Sequence, residues 1–347
     1  MKENIVMKSR VRLARNLNNY PFPNKLDKEC AMEIIEKVKN AFINSNLEQK
    51  EEFDFYKIED LDQSKKMLMV EEHIISPDLA ENDKSAVIVK KDKTISIMIN
   101  EEDHIRIQTI CDDLNLEYAY SVANEIDDLL ESSLEYAFNT KLGYLTSCPT
   151  NTGTGMRASV MMHLPALSQL GYMDELYKIS SQIGIAIRGI YGERTEALGN
   201  IYQISNQLTL GRTESNIIEN VSGLTKDAIS KEIKAREILQ KKLGIKLEDK
   251  IFRSIGTLEN SRVMSSSEAM SHLSNIKMGI EMNYIDKLDL RAIEQLMIGI
   301  QPAHQSIMYK SDDVENRDIN RATYIRETLE KLRGGMNCEL QEIYTKS

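Results

Sequence analysis

The sequence predicts an α+β region followed by an all-helical one. Short β-rich runs occur at 86–90, 94–99, 143–147, 183–190 and 201–205, with helical patterns between them. From Thr213 onward strand signals disappear, while helical spacing continues. The boundary falls within 210–250, which divides the chain into a domain at 1–240 and a helical domain at 241–347.

Each element has a local cause. Residues 28–45 place Ala31, Ile34, Ile35, Val38 and Phe42 on one helical face, with Asp27 as the N-cap. A-V-I-V-K at 86–90 and T-I-S-I-M-I at 94–99 flank K-D-K and read as a hairpin. Residues 113–138 read as a helix. G-Y-L-T-S at 143–147 reads as a strand, followed by a Pro/Gly-rich loop at 149–155 and a helix at about 156–168. I-G-I-A-I-R-G-I at 183–190 and I-Y-Q-I-S at 201–205 read as strands. Residues 213–242 form one long charged amphipathic helix, and later helices break near Gly244, Gly256, Gly279 and Pro302.

Composition narrows the function classes. With 347 residues, 41% hydrophobic and 28% charged, the chain can bury a large core. Acidic residues outnumber basic ones, 54 to 44, for a net charge of −10, which argues against direct nucleic-acid binding. The N-terminus lacks a signal-peptide pattern and no long apolar run exists, so no membrane association is expected. Cys30, Cys111, Cys148 and Cys338 are scattered, without zinc-site or disulfide spacing, which suits a reducing cytoplasm.

Four segments combine polar chemistry with strand ends. In S-R-V-R-L-A-R (Ser9–Arg15), an extended backbone puts Arg10 and Arg12 on one face, a pair suited to phosphate or a solvated basic arm. In N-E-E-D-H-I-R (Asn100–Arg106), Glu102 suits a base or a cation-orienting carboxylate, and Arg106 a phosphate ligand; a charged turn would also fit. C-P-T-N-T-G-T-G-M-R-A-S (Cys148–Ser159) lacks a Walker lysine and reads as a loop entering a helix N-terminus that favours an anion. Cys148 there is either a small packed residue or a reactive thiolate. R-G-I-Y-G-E-R-T-E (Arg188–Glu196) reads as a closing loop or a surface hairpin. Together these segments fit a nucleoside triphosphate held beside a cationic acceptor.

These motifs, in this order over residues 9–212, resemble the catalytic domain of the phosphagen (guanido) kinases, and most closely the bacterial branch that phosphorylates arginine in proteins. The resemblance implies an antiparallel sheet flanked by helices. It implies ATP with Mg²⁺, the nucleotide contacted by Ser9, Arg10, Val11, Arg12, Leu13, His73, Arg106, Arg157, Ala158, Ser159, Val160, Met161, Arg188, Gly189, Ile190, Tyr191, Gly192 and Glu193. Glu102 matches the catalytic carboxylate, Cys148 the substrate-proximal cysteine, and Glu193 or Glu196 the loop carboxylate. No protein metal ligands are implied. Small-molecule members carry a helical domain before S-R-V-R, which here begins at Ser9, so an acceptor side open to polypeptide is expected. R-D-I-N-R-A (Arg317–Ala322) resembles that branch's phosphoarginine-pocket motif, with Arg317, Asp318, Arg321 and Ala322. The implied partners are proteins with exposed arginine, a Clp unfoldase, a zinc-finger activator, a heat-shock repressor and a second copy of the chain.

Overall fold

The computed structural model describes residues 4–191, 197–311 and 313–334. In chain order these form β1 (Val6–Arg15), α1 (Lys28–Asn44), β2 (Phe53–Lys57), α2 (Gln63–Glu71), α3 (Pro77–Ala80), β3 (Ala86–Lys90), β4 (Ile95–Ile99), β5 (Ile105–Asp112) and α4 (Leu116–Glu131). There follow β6 (Phe138–Asn139), β7 (Gly143–Tyr144), β8 (Met156–His163), α5 (Pro165–Leu170), α6 (Met173–Gln182), β9 (Ile185–Tyr191) and β10 (Ala197–Asn206). Helices α7 (Glu214–Leu243), α8 (Ile245–Asn260), α9 (Ser266–Glu281), α10 (Leu290–Gly299), α11 (Pro302–Tyr309) and α12 (Val314–Arg333) complete the chain. No helix among the described residues is long and apolar enough to cross a membrane.

The architecture is an antiparallel α+β sheet with a helical C-terminal region. The eight-stranded sheet runs β2-β3-β4-β5-β1-β8-β10-β9, and neighbouring strands pair antiparallel throughout. Alternation along each strand gives the sheet two unlike faces. Val11, Leu13, Ile97, Ile99, Ile105, Ile107, Ala158, Val160 and Ile204 form one of them, each at most 1% exposed. Helices α1, α4 and α7 cover this core face. Asp27 caps α1 as expected, its side chain accepting from Cys30 N, and Thr213 caps α7.

Four expectations are corrected. Residues 156–163 are a strand, not a helix, because Arg157, Ser159 and Met161 alternate with Ala158, Val160 and Met162, a period of two. The Gly-rich segment therefore enters the middle of the sheet rather than a helix N-terminus. The 113–138 helix is confined to Leu116–Glu131, because β5 extends through Asp112 before the chain turns. The 143–147 strand shrinks to Gly143–Tyr144. Gly256 and Gly279 lie inside α8 and α9; at Gly279 a Cβ would stand 2.6 Å from Ile251, so the glycine allows close helix packing rather than a break.

A buried ionic network fastens the sheet to the C-terminal helices. Glu281 on α9 pairs with Arg236 on α7 at 2.8 Å and with Lys277 at 2.9 Å, and faces His163 at the end of β8. Arg236 also pairs with Glu232, which accepts from the Ala166 and Leu167 amides at the start of α5. Burial alone would raise the Glu281 pKa, but His163, Arg236 and Lys277 outweigh it and hold it at about 2. Its contribution is thus complete above the ordinary value of 4.5 and lost as pH falls toward 2. Glu281→Ala removes the carboxylate shared by two buried cations, leaving Arg236 with Glu232 and Lys277 with Glu294, and should cost about 3 kcal/mol at pH 7 in urea unfolding. The variant should also lose part of the wild-type acid sensitivity between pH 5 and 2. A cost under ~1 kcal/mol would show that the network is not a structural fastening.

Candidate active site

The register of the sheet builds the site. Arg12 stands opposite Gln108 on β5 and Arg157 on β8, and Ala14 opposite Arg106. Arg10 stands opposite Ser159, Ser159 opposite Ser205, and Gln203 opposite Arg188. Directly paired residues share a face. Arg10, Arg12, Arg106, Arg157 and Arg188 therefore project from the face away from the main core. Arg15, one step out of phase, turns to the other side, where it pairs with buried Asp127 at 2.6 Å and lies over Tyr144.

Neutral groups hold the arginines in place. Arg10 donates to Ser159 Oγ at 3.3 Å and to Gln203 Oε1 at 2.7 Å. Arg157 donates to Ser205 Oγ at 3.1 Å. Arg106 is matched by carboxylates, Glu101 at 2.6 Å and Glu102 at 3.1 Å. The Nε atoms of Arg12 and Arg157 are buried without a hydrogen-bond partner among the described residues. Burial, then Arg10, Arg106 and Arg157, push the Arg12 pKa well down. Burial, then Arg188 and Arg106, lower that of Arg157. Cations this close repel, and buried donors left open are costly. A polyanion rich in acceptor oxygens relieves both.

The β4–β5 turn supplies the carboxylates. Asn100 takes φ 60°, and its amide and that of Glu101 bond to the His104 and Asp103 carbonyls, closing a tight turn. Glu101 is sequestered: Ser76 Oγ and Arg106 share its Oε1, and the Glu102 amide donates to its Oε2. Glu102 stays partly open, its side chain 42% exposed. Its pKa is raised by burial, with Arg106 opposing. Asp103 accepts from Asn16 and the Ser147 amide. His104 accepts from Leu17 N at Nδ1, which leaves Nε2 to donate to Pro21 O. Both are fixtures of the turn, and no group of three potential metal-ligating side chains occurs among the described residues.

The cleft has two joined parts. Arg12, Ala14, Glu102, Arg106, Asn151, Gly155 and Arg157 line the smaller. Arg10, Arg12, His73, Ser76, Arg106, Gln108 and Ile190 help line the other, of about 390 Å³. Two hollows of about 760 Å³ lie elsewhere, but neither gathers these arginines. Gly155 has φ +64°, and a Cβ there would stand 2.5 Å from Ala14 O, so only glycine lets the loop close on β1. His73 follows α2 with φ 60°. Burial, then Arg10 and Arg12, lower its pKa to about 4, so it is neutral near pH 7. Cys148 lies on the loop before β8, its Sγ 3.0 Å from Thr150 Oγ1, and a thiolate there would favour the charged form of Arg157.

Other expected residues lie differently. Val11, Leu13, Ala158 and Val160 face the core, and Ser9 bonds to Asp113 O and Asn115 N behind the sheet. Their side chains do not reach the cleft. Ser159 and Met161 are buried on the arginine face. Gly189, Ile190 and Tyr191 end β9, while Gly192, Glu193 and Glu196 lie outside the described residues. In R-D-I-N-R-A, Arg321 is 2% exposed and donates to Ile300 O at 2.6 Å, Met264 O at 2.8 Å and its neighbour Asp318. Ala322 is buried beside it, and Arg317 is half-buried. Sequence reading gave no role to Glu101, Gln203 or Ser205. Glu101 was visible as the second carboxylate of N-E-E-D; the other two needed the strand register.

Comparison with known proteins places this geometry. Residues 33–235 match the family model of the ATP:guanido phosphotransferase C-terminal catalytic domain. Residues 244–340 match that of the protein-arginine kinase McsB C-terminal domain. A protein-arginine kinase of Caldanaerobacter subterraneus subsp. tengcongensis is 44% identical over 95% of this chain and 98% of its own. One from Clostridium kluyveri is 47% identical over 94% of each. Among solved structures, lombricine kinase aligns with TM-score 0.58 and 25% identity over 67% of each chain. The duplicated taurocyamine kinase of Schistosoma mansoni, solved with transition-state analogue components, aligns with TM-score 0.58 and 29% identity, over 67% of this chain and 34% of that one.

A polyanion test follows. Tripolyphosphate at a hundred times its Kd should raise the wild-type Tm by roughly 5 °C. Arg12→Met should abolish that rise while leaving the ligand-free Tm equal or higher, because a repelled cation is gone. A sharply lower ligand-free Tm would make Arg12 a structural cation instead.

Proposed function

The chain belongs to the ATP:guanido phosphotransferase family, and from that premise we propose that it is a protein-arginine kinase, transferring the γ-phosphoryl group of ATP to arginine side chains in other proteins. The observation that carries the reading is the crowding of buried Arg12 and Arg157 among other arginines, with Glu102 at their edge. The polyphosphate lies across Arg10, Arg12, Arg106, Arg157 and Arg188, with neutral His73 beside it. Glu101 holds Arg106 in place. Glu102 aligns the acceptor guanidinium, which is a poor nucleophile while protonated and delocalised. As the P–O bond to ADP breaks and the N–P bond forms, Glu102 takes the proton from that nitrogen. The arginines carry the charge of the transferring group, and positioning does most of the work. Either Glu193 or Glu196 supplies the second carboxylate, and Cys148 lines the acceptor side.

The described residues contain no carboxylate cage for a metal, and the cationic face repels a free cation. The residues thus fit Mg²⁺ only as part of the nucleotide, where it neutralises phosphate charge.

The chain divides near residue 240 into a catalytic part and a helical part that dimerises and binds phosphoarginine through Arg317, Asp318, Arg321 and Ala322. The match of residues 244–340 to the McsB C-terminal model supports this division. On the same reading the kinase works in the cytoplasm, with a zinc-finger activator. It marks proteins for a Clp unfoldase and protease and acts on a heat-shock repressor.

Incubation with ATP–Mg²⁺ and either casein or free L-arginine tests the substrate. Acid-labile phosphate on casein, and none on free arginine, is expected. Label on free arginine alone contradicts the reading, and no label with intact phosphoarginine binding indicates an adaptor. Glu102→Gln should reduce labelling about 10²–10⁴-fold. Because burial raises the Glu102 pKa, the acid limb of wild-type kcat/KM should lie above the ordinary glutamate value of 4.5. Asp318→Ala should blunt stimulation by phosphoarginine and leave ATP affinity unchanged; equal stimulation of variant and wild type would remove Asp318 from the pocket.

A further inference from the structure

The contacts at the end of α2 are not used by the chemistry described above. Glu71 accepts from the Ala303 and His304 amides at 2.7 and 3.1 Å, capping α11. Its Oε2 is also 2.9 Å from His304 Nδ1. On the other side of the same ring, Nε2 lies 3.6 Å from Glu72 Oε1, which in turn holds Lys93 at 2.6 Å. His304 is 2% exposed. Burial opposes charge on its ring, yet the bonds to Glu71 and Glu72 outweigh burial and raise its pKa. A buried imidazole set between two carboxylates ties together segments 230-odd residues apart in the chain.

The tie ends beside the cleft. His73 is the next residue, in the left-handed conformation. Gln108 holds its carbonyl at 2.7 Å and Ser96 holds that of Ile74 at 2.8 Å, so the sheet grips the turn from below. The His304 bridge grips it from the helical side. Just before α11, Ile300 O accepts from Arg321 Nε, which joins the R-D-I-N-R-A segment to the same linkage.

We infer that His304 is a positioning residue for nucleotide binding: by bridging Glu71 and Glu72 it holds the turn carrying His73 against the arginine face, so that the C-terminal helices set the affinity for ATP. The inference rests on the cleft being the ATP site.

Initial rates of casein phosphorylation against ATP concentration test it, using the full chain with His304→Ala and His304→Asn. The asparagine amide replaces Nδ1–H and keeps a donor to Glu71. His304→Ala should raise the KM for ATP at least about fivefold, with kcat at saturating ATP within about twofold of wild type. His304→Asn, which keeps the Glu71 half of the bridge, should give a KM at least about twofold lower than that of His304→Ala. An unchanged KM in His304→Ala overturns the inference. So does a joint loss of kcat and Tm in both variants, which would make His304 a matter of folding alone, and so does an asparagine variant no better than alanine. A wild-type chain that transfers no phosphate from ATP would fail the functional reading itself, and that control separates the two failures.

Discussion

Antiparallel register across β5, β1, β8, β10 and β9 is the constraint on which the molecule depends. It sets Arg12 between Gln108 and Arg157, and carries the same face outward to Arg188. Because side chains alternate, the slip of one residue on β1 would send Arg10 and Arg12 into the apolar core and bring Val11 and Leu13 to the cleft. The core face, with Val11, Leu13, Ala158 and Val160 fully buried, penalises that slip heavily. Hydrophobic packing behind the sheet thus fixes the positions of charges in front of it, and those charges would otherwise drive one another apart.

The two faces treat charge in opposite ways. Behind the sheet, each buried cation has an anion: Arg15 has Asp127, and Arg236 has Glu232 and Glu281. In front, Arg12 and Arg157 have chiefly other arginines for company, and each leaves Nε unpartnered. Matched pairs stabilise the fold, whereas unmatched cations store a demand for an incoming anion. That asymmetry is why the front face is read as a binding surface. Glu101 and Glu102 refine it: one is sequestered to orient Arg106, and the other is left accessible with a raised pKa. Two adjacent carboxylates thus differ in both hydrogen bonding and burial.

Much of this was legible in the sequence, for physical reasons. Periodicity with the Asp27 cap gave α1, the long charged amphipathic pattern gave α7, and K-D-K between β-branched runs gave the β3–β4 hairpin. Alternation in S-R-V-R already placed Arg10 and Arg12 on one side. The segment at 156–163 was harder, because its methionines and alanine suit helices and only the period of two reveals a strand. Gly279 looked like a break because a glycine's packing role depends on a partner, Ile251, that lies far off in sequence. Gln203, Ser205 and the Glu71–His304 bridge depend on pairings between distant segments, which local pattern does not encode.

The central claim is that this face holds the polyphosphate of ATP so that its terminal group meets a guanidinium beside Glu102. A crystal structure of the chain with a non-hydrolysable ATP analogue and Mg²⁺ tests it most directly. The account predicts phosphate oxygens bonded to the Nε atoms of Arg12 and Arg157 and to Arg106, with the terminal phosphate nearest Glu102. Phosphates bound elsewhere, with those two Nε atoms still unpartnered, would contradict it.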